Sequence, residues 1–290
     1  MKSSNRESIK GLTFDAAHCP IDGSTLAPAL ERLYHHYNSF EHIHPDPLEC
    51  VYLYDSKTDR EIIGLIASAL AYGRVRQILG SVGSVLDIMG PSPSTFLQKH
   101  SPADLREAFV SFKHRFTTGE MLSSLLCGLS KLLDTYGSLE RCFLSGFSPK
   151  DRNVLPGLGA FVRKVEFACG KGLPAFLPSP EGGSGCKRLN LFLRWMVRSD
   201  NVDPGTWQSV PASHLIVPLD THMHRIAATL GLTCRKQPDI RCAMEITDAF
   251  AAIRPDDPVR YDFALTRFGI KPETLQMRRF FSLLKNGVEK

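Results

Sequence analysis

The sequence contains no run of about 18 apolar residues, the length a membrane-spanning helix requires, so no span is expected. Its first residues, MKSSNRESIKGLTF, lack the apolar stretch of a secretory signal, and no signal peptide is expected. No C-x-x-C pair occurs among the eight cysteines, which stand at 19, 50, 127, 142, 169, 186, 234 and 242. That scatter speaks against an iron–sulfur cluster or a cysteine-built zinc site. It reads as the reduced thiols of a cytoplasmic protein. Convincing period-two alternation is also missing, which argues against a sheet. Tryptophan is scarce, with only two residues, Trp195 and Trp207.

What is present describes an ordinary globular chain. In 290 residues, 43% are apolar and 22% charged, enough for one large domain or two packed lobes around a real core. The formal net charge of +5 is compatible with a polyanionic partner but does not establish one.

The apolar spacing is helical almost throughout, so the expected fold class is all-α with short connections. Ser24 is placed to cap a helix carrying Leu26, Leu30, Leu33 and Tyr37. Asp59 can cap REIIGLIASALAYG, whose apolar residues are too dense for an exposed surface. Val75, Ile78, Val82, Val85 and Met89 fall at helical spacing, with Gly90 as the stop. Ser101 and Pro102 open another helix. Thr117 and Glu120 form a T-x-x-E capping box for a helix that closes at Gly137. Residues 1–21 are polar and expected to be poorly ordered, and 171–185, rich in proline and glycine, reads as a connection.

That connection ends in Gly183-Ser184-Gly185-Cys186-Lys187 and runs directly into a helix. Glycines let a backbone turn tightly and approach a ligand closely. The helix start offers unpaired N–H groups and a positive dipole end, so the corner is a candidate anion site with Lys187 in its first turn. It is not a P-loop, because the four-residue spacer and the hydroxyl residue after the lysine are absent. A rival L-P-G-x-G stretch at 155–159 has Phe161 where the lysine would stand, and reads as a helix start with a packing role.

Downstream, VPLDTHMHR places Asp220, His222, His224 and Arg225 after Pro218. Asp220 is positioned as an N-cap. His222 and His224 are two residues apart and point in different directions on a helix, so no metal site is expected there. Arg225 suits a phosphate or a carboxylate.

G-x-G-x-K entering a helix, followed by V-P-L-D-T-H-x-x-R-I-A, resembles the helix–hairpin–helix superfamily of DNA base-excision glycosylases, endonuclease III-like enzymes among them. DREIIGLIASALAYGRVRQI, KRLNLFLRWMVRSDNVDPGTW and LIVPLDTHMHRIAATLGL are similar to a bacterial family of unknown function allied to these enzymes, over roughly residues 25–285. Two features depart from endonuclease III. Asp220 follows Lys187 by 33 residues, a longer interval nearer to that of archaeal 8-oxoguanine glycosylases, and the C-terminal cysteine cluster is missing.

The resemblance implies a two-lobed domain over 22–285, with one lobe at 55–212 carrying the hairpin and the other built from 22–54 and 213–285. It implies Lys187 as the nucleophile that forms a Schiff base and Asp220 as the carboxylate that stabilises positive charge on the sugar. Phosphate contacts are expected from Gly183, Gly185, Arg188, Arg74, Arg76 and Arg225. Trp207, and less readily Trp195, would stack on a flipped base. The expected partner is damaged duplex DNA, with an oxidised purine as the leading substrate, bound by a monomer without cofactor, metal or membrane. Whether a lyase step follows is left open. A helix–hairpin–helix module that binds DNA without chemistry, and an all-α interaction scaffold, remain as alternatives.

Overall fold

The computed structural model describes residues 23–170 and 176–270. The expectations for residues 1–21, 171–175 and 271–285 lie outside the described residues. Within them the chain is helical: α1 (Gly23–Tyr37), α2 (Lys57–Ala69), α3 (Val75–Met89), α4 (Pro93–Lys99), α5 (Pro102–Ala108), α6 (Gly119–Tyr136), α7 (Leu139–Leu144), α8 (Leu155–Cys169), α9 (Lys187–Val197), α10 (Thr221–Thr229), α11 (Ile240–Ile253) and α12 (Asp262–Ile270). The only sheet among the described residues is a hairpin of two-residue strands, β1 (Lys113–His114) and β2 (Thr117–Thr118), with His114 opposite Thr117.

α2 is the central helix. Every residue from Glu61 to Ala71 is buried, as its apolar density demands. It packs against the 3-10 turn Pro47–Leu53, α9, α4 and α7, while α6 lies against α5 and α8. α12 packs on α1 and on α10. One contiguous apolar core joins these elements, with a small satellite of Tyr37, Ala264 and Phe268. Phe161 is buried on α8, whose first turn contains Pro156, so the L-P-G-x-G stretch is a helix start packed into the core.

Three caps differ from expectation. Ser24 lies within α1 and not ahead of it. Ser56, not Asp59, caps α2, its hydroxyl accepting the Asp59 amide. Asp59 sits one turn in and reaches across to accept the amide of Ser94 at 2.6 Å, in the first turn of α4. The cap of α6 is Thr118, not Thr117. Thr117 is withdrawn into β2, and its hydroxyl is 2.7 Å from the Tyr72 hydroxyl. The stops at Gly90 and Gly137 are as expected, both at positive φ.

Two sets of buried charged groups are paired across long sequence separations. Glu61, fully enclosed, accepts N–H bonds from Leu139 at 2.9 Å and Glu140 at 3.1 Å at the start of α7, and from the Trp207 indole at 2.7 Å. Burial pushes its carboxyl above the ordinary value, and these donors work against that. A second network centres on Arg194 of α9 and Arg198, four residues on at the C-cap of that helix. Arg194 binds Asp203 at 3.1 Å and Asp262 at 2.5 Å. Arg198 binds Asp200 at 2.8 Å, Asp257 at 3.0 Å and Asp203.

Removing one partner of such a cluster leaves uncompensated buried charge. Arg198→Met is therefore expected to lower unfolding free energy by about 3–5 kcal/mol, measured by urea denaturation. A loss below about 1 kcal/mol, the range of exposed ion pairs, would show that the network is not structurally important.

Candidate functional site

α9 and α10 bring their first turns together. Lys187 is the first residue of α9, and its Nζ lies 3.3 Å from Oδ2 of Asp220. The two side chains are 35% and 24% exposed, so the pair is accessible while largely shielded from solvent. Asp220 is the N-cap of α10, its Oδ1 accepting the amides of His222 at 2.9 Å and Met223 at 2.8 Å. One carboxylate oxygen therefore serves the helix and the other faces the lysine. Burial works to raise the Asp220 pKa. The Lys187 ammonium and the Met223 amide outweigh it, so the carboxylate is held below its ordinary value of 3.8.

The turn that delivers Lys187 is tight. Cys186 takes a left-handed conformation, φ +45°, uncommon for a residue with a side chain. Its thiol is buried and within 3.3 Å of the Pro178 carbonyl, and burial pushes the thiol up to about 11. The Asn190 amide reaches back 3.1 Å to the Gly185 carbonyl and closes the turn from inside α9. Cys186 thus has a shaping role that its place beside Lys187 did not reveal.

The glycines of this corner act within the chain. The Gly183 amide donates to the Pro180 carbonyl at 3.1 Å, and its carbonyl accepts from Ile240 at 3.4 Å. Ser184 pairs with Asp239. A side chain at Gly185 would meet the Pro238 carbonyl at 3.2 Å. The segment before α11 thus seats on these residues, and the expected phosphate contact through the Gly183 amide is corrected: that donor is already paired.

Other expected contacts are redistributed. Arg188 does not extend into solvent. It donates to the Ala69 carbonyl at 2.9 Å, at the end of α2, and lies 5.1 Å over the Tyr72 ring. Burial lowers its pKa. Arg74 and Arg76 are exposed at the start of α3, and exposed Arg225 lies 3.1 Å from Nδ1 of His222.

The two tryptophans are core residues, which overturns their assignment to a base pocket. Trp195 is fully buried on α9. Trp207 is 1% exposed, with Phe143 and Phe192 each at 5.4 Å between ring centroids. The polar residues around Trp207 suggested an exposed insert, but Glu61 satisfies its indole internally. The imidazoles diverge as helix geometry requires: His222 turns to Arg225, while Nε2 of His224 donates to the Arg235 carbonyl at 2.7 Å. Among the described residues no three His, Cys, Asp or Glu side chains are grouped to hold a metal ion.

Residues 46–271, which include both members of the Lys187–Asp220 pair, match a family described as a protein of unknown function, DUF2400. The chain belongs to DUF2400. No curated protein and no solved structure matches it. Among the described residues of this DUF2400 member, no helix is long and apolar enough to cross a membrane.

Sequence reasoning missed two residues that build the site. The Tyr72 ring lies near both Arg188 and Arg115, its centroid 5.1 and 5.9 Å from the respective guanidinium carbons. Asp262 ties α12 to Arg194 on α9. The second carried a readable signal, since arginines four apart inside the otherwise apolar LFLRWMVR require buried acids somewhere.

Asn caps a helix about as well as Asp, so Asp220→Asn is expected to cost only about 1 kcal/mol at neutral pH, the lost charge interaction with the Lys187 ammonium first and with the helix dipole second. Because the folded-state pKa is depressed, that contribution is present above 3.8 and lost as pH falls through the lower folded value. Wild type and variant should therefore converge in stability in acid. A gap that persists at pH 2 would assign the loss to something other than the charge.

Proposed function

We propose that Lys187 and Asp220 are the reactive pair of a DNA base-excision glycosylase built on a helix–hairpin–helix type of fold, with an oxidised purine as the leading substrate. The observation that carries this reading is the 3.3 Å approach of an ammonium and a carboxylate separated by 33 residues, each at a helix start and each partly open to solvent. A buried structural ion pair would be closed off, as Arg194–Asp262 is. Phosphate binding alone would not place a carboxylate against the lysine.

Breaking an N-glycosidic bond builds positive charge on the deoxyribose. The Asp220 carboxylate, kept ionised by its amides and by Lys187, stabilises that charge where water is scarce. The departing base takes the bond's electron pair and receives the proton released by the Lys187 ammonium. The neutral amine then adds to C1′. As the sugar opens, a proton moves from nitrogen to O4′ and leaves a protonated Schiff base, so the single positive charge is conserved throughout. Loss of the acidified C2′ proton would expel the 3′ phosphate, which is the lyase step. The target base must leave the stack to reach this pair.

Borohydride reduction on a duplex bearing 8-oxoguanine is expected to trap a covalent adduct with wild-type protein and none with Lys187→Gln. Asp220→Asn should retain duplex binding and lose about a hundredfold or more in single-turnover base release. Intact duplex binding with no base release across a panel of damaged bases would favour the non-catalytic DNA-binding module.

A further inference from the structure

A second basic feature continues from the Lys187 corner. Arg188 lies over one side of the Tyr72 environment, and Arg115 approaches the same ring. Arg115 and Phe116 are the two-residue loop of the β1–β2 hairpin. Beside that loop, between it and α3, is a hollow of about 310 Å³ lined by Gln77, Gly80, Ser81, Ser84, Lys113 and Arg115, with His114 behind them. Its lining contains two cations and no acid. Among the described residues no carboxylate pairs with Lys113 or Arg115.

The wall carrying these cations is held rigidly. The Tyr72 hydroxyl is 2.8 Å from the His114 carbonyl and 2.7 Å from the Thr117 hydroxyl. Nε2 of the buried His114 ring donates to the Tyr72 carbonyl at 3.1 Å, since a carbonyl can only accept. Nδ1 lies 2.8 Å from the Ser81 hydroxyl. Four bonds thus tie the hairpin to α3 and to the end of α2. They hold Arg115 at φ +52°, a left-handed loop position where glycine is favoured. Its side chain runs across Gly73, where a Cβ would lie 3.0 Å from Arg115 Cδ. A long cation kept in a strained backbone conformation by its surroundings is a functional signature.

The opposite wall is open. Gly80 lies within α3, and a side chain there would meet nothing within 4 Å. Glycine disfavours a helix interior, and no internal packing requires it here. Its effect is to leave the hollow clear down to the helix backbone.

We propose that this hollow seats backbone phosphates of the nucleic acid whose damaged nucleotide reaches Lys187 and Asp220. Lys113 and Arg115 supply the charge, the Gln77 amide supplies a neutral donor, and Gly80 leaves room for close approach. The inference rests on the DNA reading of the Lys187 site and extends the contact surface through Arg188 and Tyr72 to the hairpin.

The test compares the salt dependence of affinity for an undamaged fluorescein-labelled duplex. Each phosphate contact contributes about 0.9 to the slope of log affinity against log salt, so Lys113→Ala/Arg115→Gly should reduce the slope by about 1 to 2. The glycine relieves the left-handed strain and keeps the hairpin folded. Gly80→Leu fills the hollow and should weaken duplex binding without lowering the melting temperature, which no purely structural role would produce. A wild-type slope retained in the double variant, or undiminished affinity in Gly80→Leu, would overturn the proposal. So would calorimetric binding of inorganic phosphate that the double variant loses while its duplex slope is unchanged, which would make the hollow a small-anion site. Borohydride trapping at Lys187 with an unchanged double-variant slope would sink the hollow and leave the glycosylase reading standing. A reduced slope without any trapping would leave the hollow as part of a non-catalytic DNA-binding surface. No duplex binding by the wild type would remove both.

Discussion

The buried cluster of Arg194 and Arg198 with Asp200, Asp203, Asp257 and Asp262 is the constraint on which the site depends. Charges this enclosed tolerate only arrangements in which nearly every donor and acceptor is matched. Arg194 lies on α9 two turns beyond Lys187, and Arg198 is the C-cap of the same helix. Asp262 begins α12, which packs against α10, the helix capped by Asp220. The position of Lys187 relative to Asp220 is therefore transmitted through Arg194, Asp262 and the α10–α12 contact. A slip of α9 by one residue would disconnect both arginines at once. Tyr34 and Tyr52 extend the same anchorage to α1 and the turn Pro47–Leu53, through Asp200 at 3.1 Å and the Val202 carbonyl at 2.6 Å.

Glu61 does comparable work on the other side of α9. Its carboxylate caps α7 from a distance and holds the Trp207 indole, which packs against Phe192 of α9. The neighbouring Glu140 accepts the amides of Gln208 and Ser209, both at 3.1 Å, and pairs with Lys57 at 2.5 Å. The segment 198–214 is thus fastened at both ends by carboxylates, Asp200 and Asp203 at one and Glu61 and Glu140 at the other. A stretch that reads as a polar insert is structurally an internal strut. Asp200, Asp203 and Trp207 find their partners inside the protein, while the side chains of Asn201, Gln208 and Ser209 face solvent.

Two left-handed, non-glycine residues, Cys186 and Arg115, mark the places where the chain accepts backbone strain. Both lie beside the features assigned functional roles. Cys186 turns the chain into α9 so that Lys187 emerges at the first position. Arg115 sits at the tip of the only described hairpin. In each case hydrogen bonds from neighbouring elements hold the conformation, Asn190 for the first and Tyr72 with His114 for the second. Both bends are determined by their surroundings, because local preference would favour glycine.

The helical class was legible in the sequence because apolar residues at helical spacing, Ile78, Val82, Val85 and Met89 among them, must face a core in any helical arrangement. Asp220 as a cap was legible because capping is a local interaction. Lys187 and Asp220 were separately recognisable, but only tertiary packing determines that they touch. The caps of α2 and α6 shifted because Asp59 and Thr117 found long-range partners stronger than their local ones. A distant partner, Glu61, likewise took Trp207 from the surface, Trp195 is buried with the apolar face of α9, and a local turn bond to Pro180 occupies the Gly183 amide. The sequence by itself determined periodicity, capping chemistry and candidate residues, all of which depend on neighbours within a few positions. Only the tertiary structure decided which polar groups remain open to a ligand, because that depends on partners brought from distant parts of the chain.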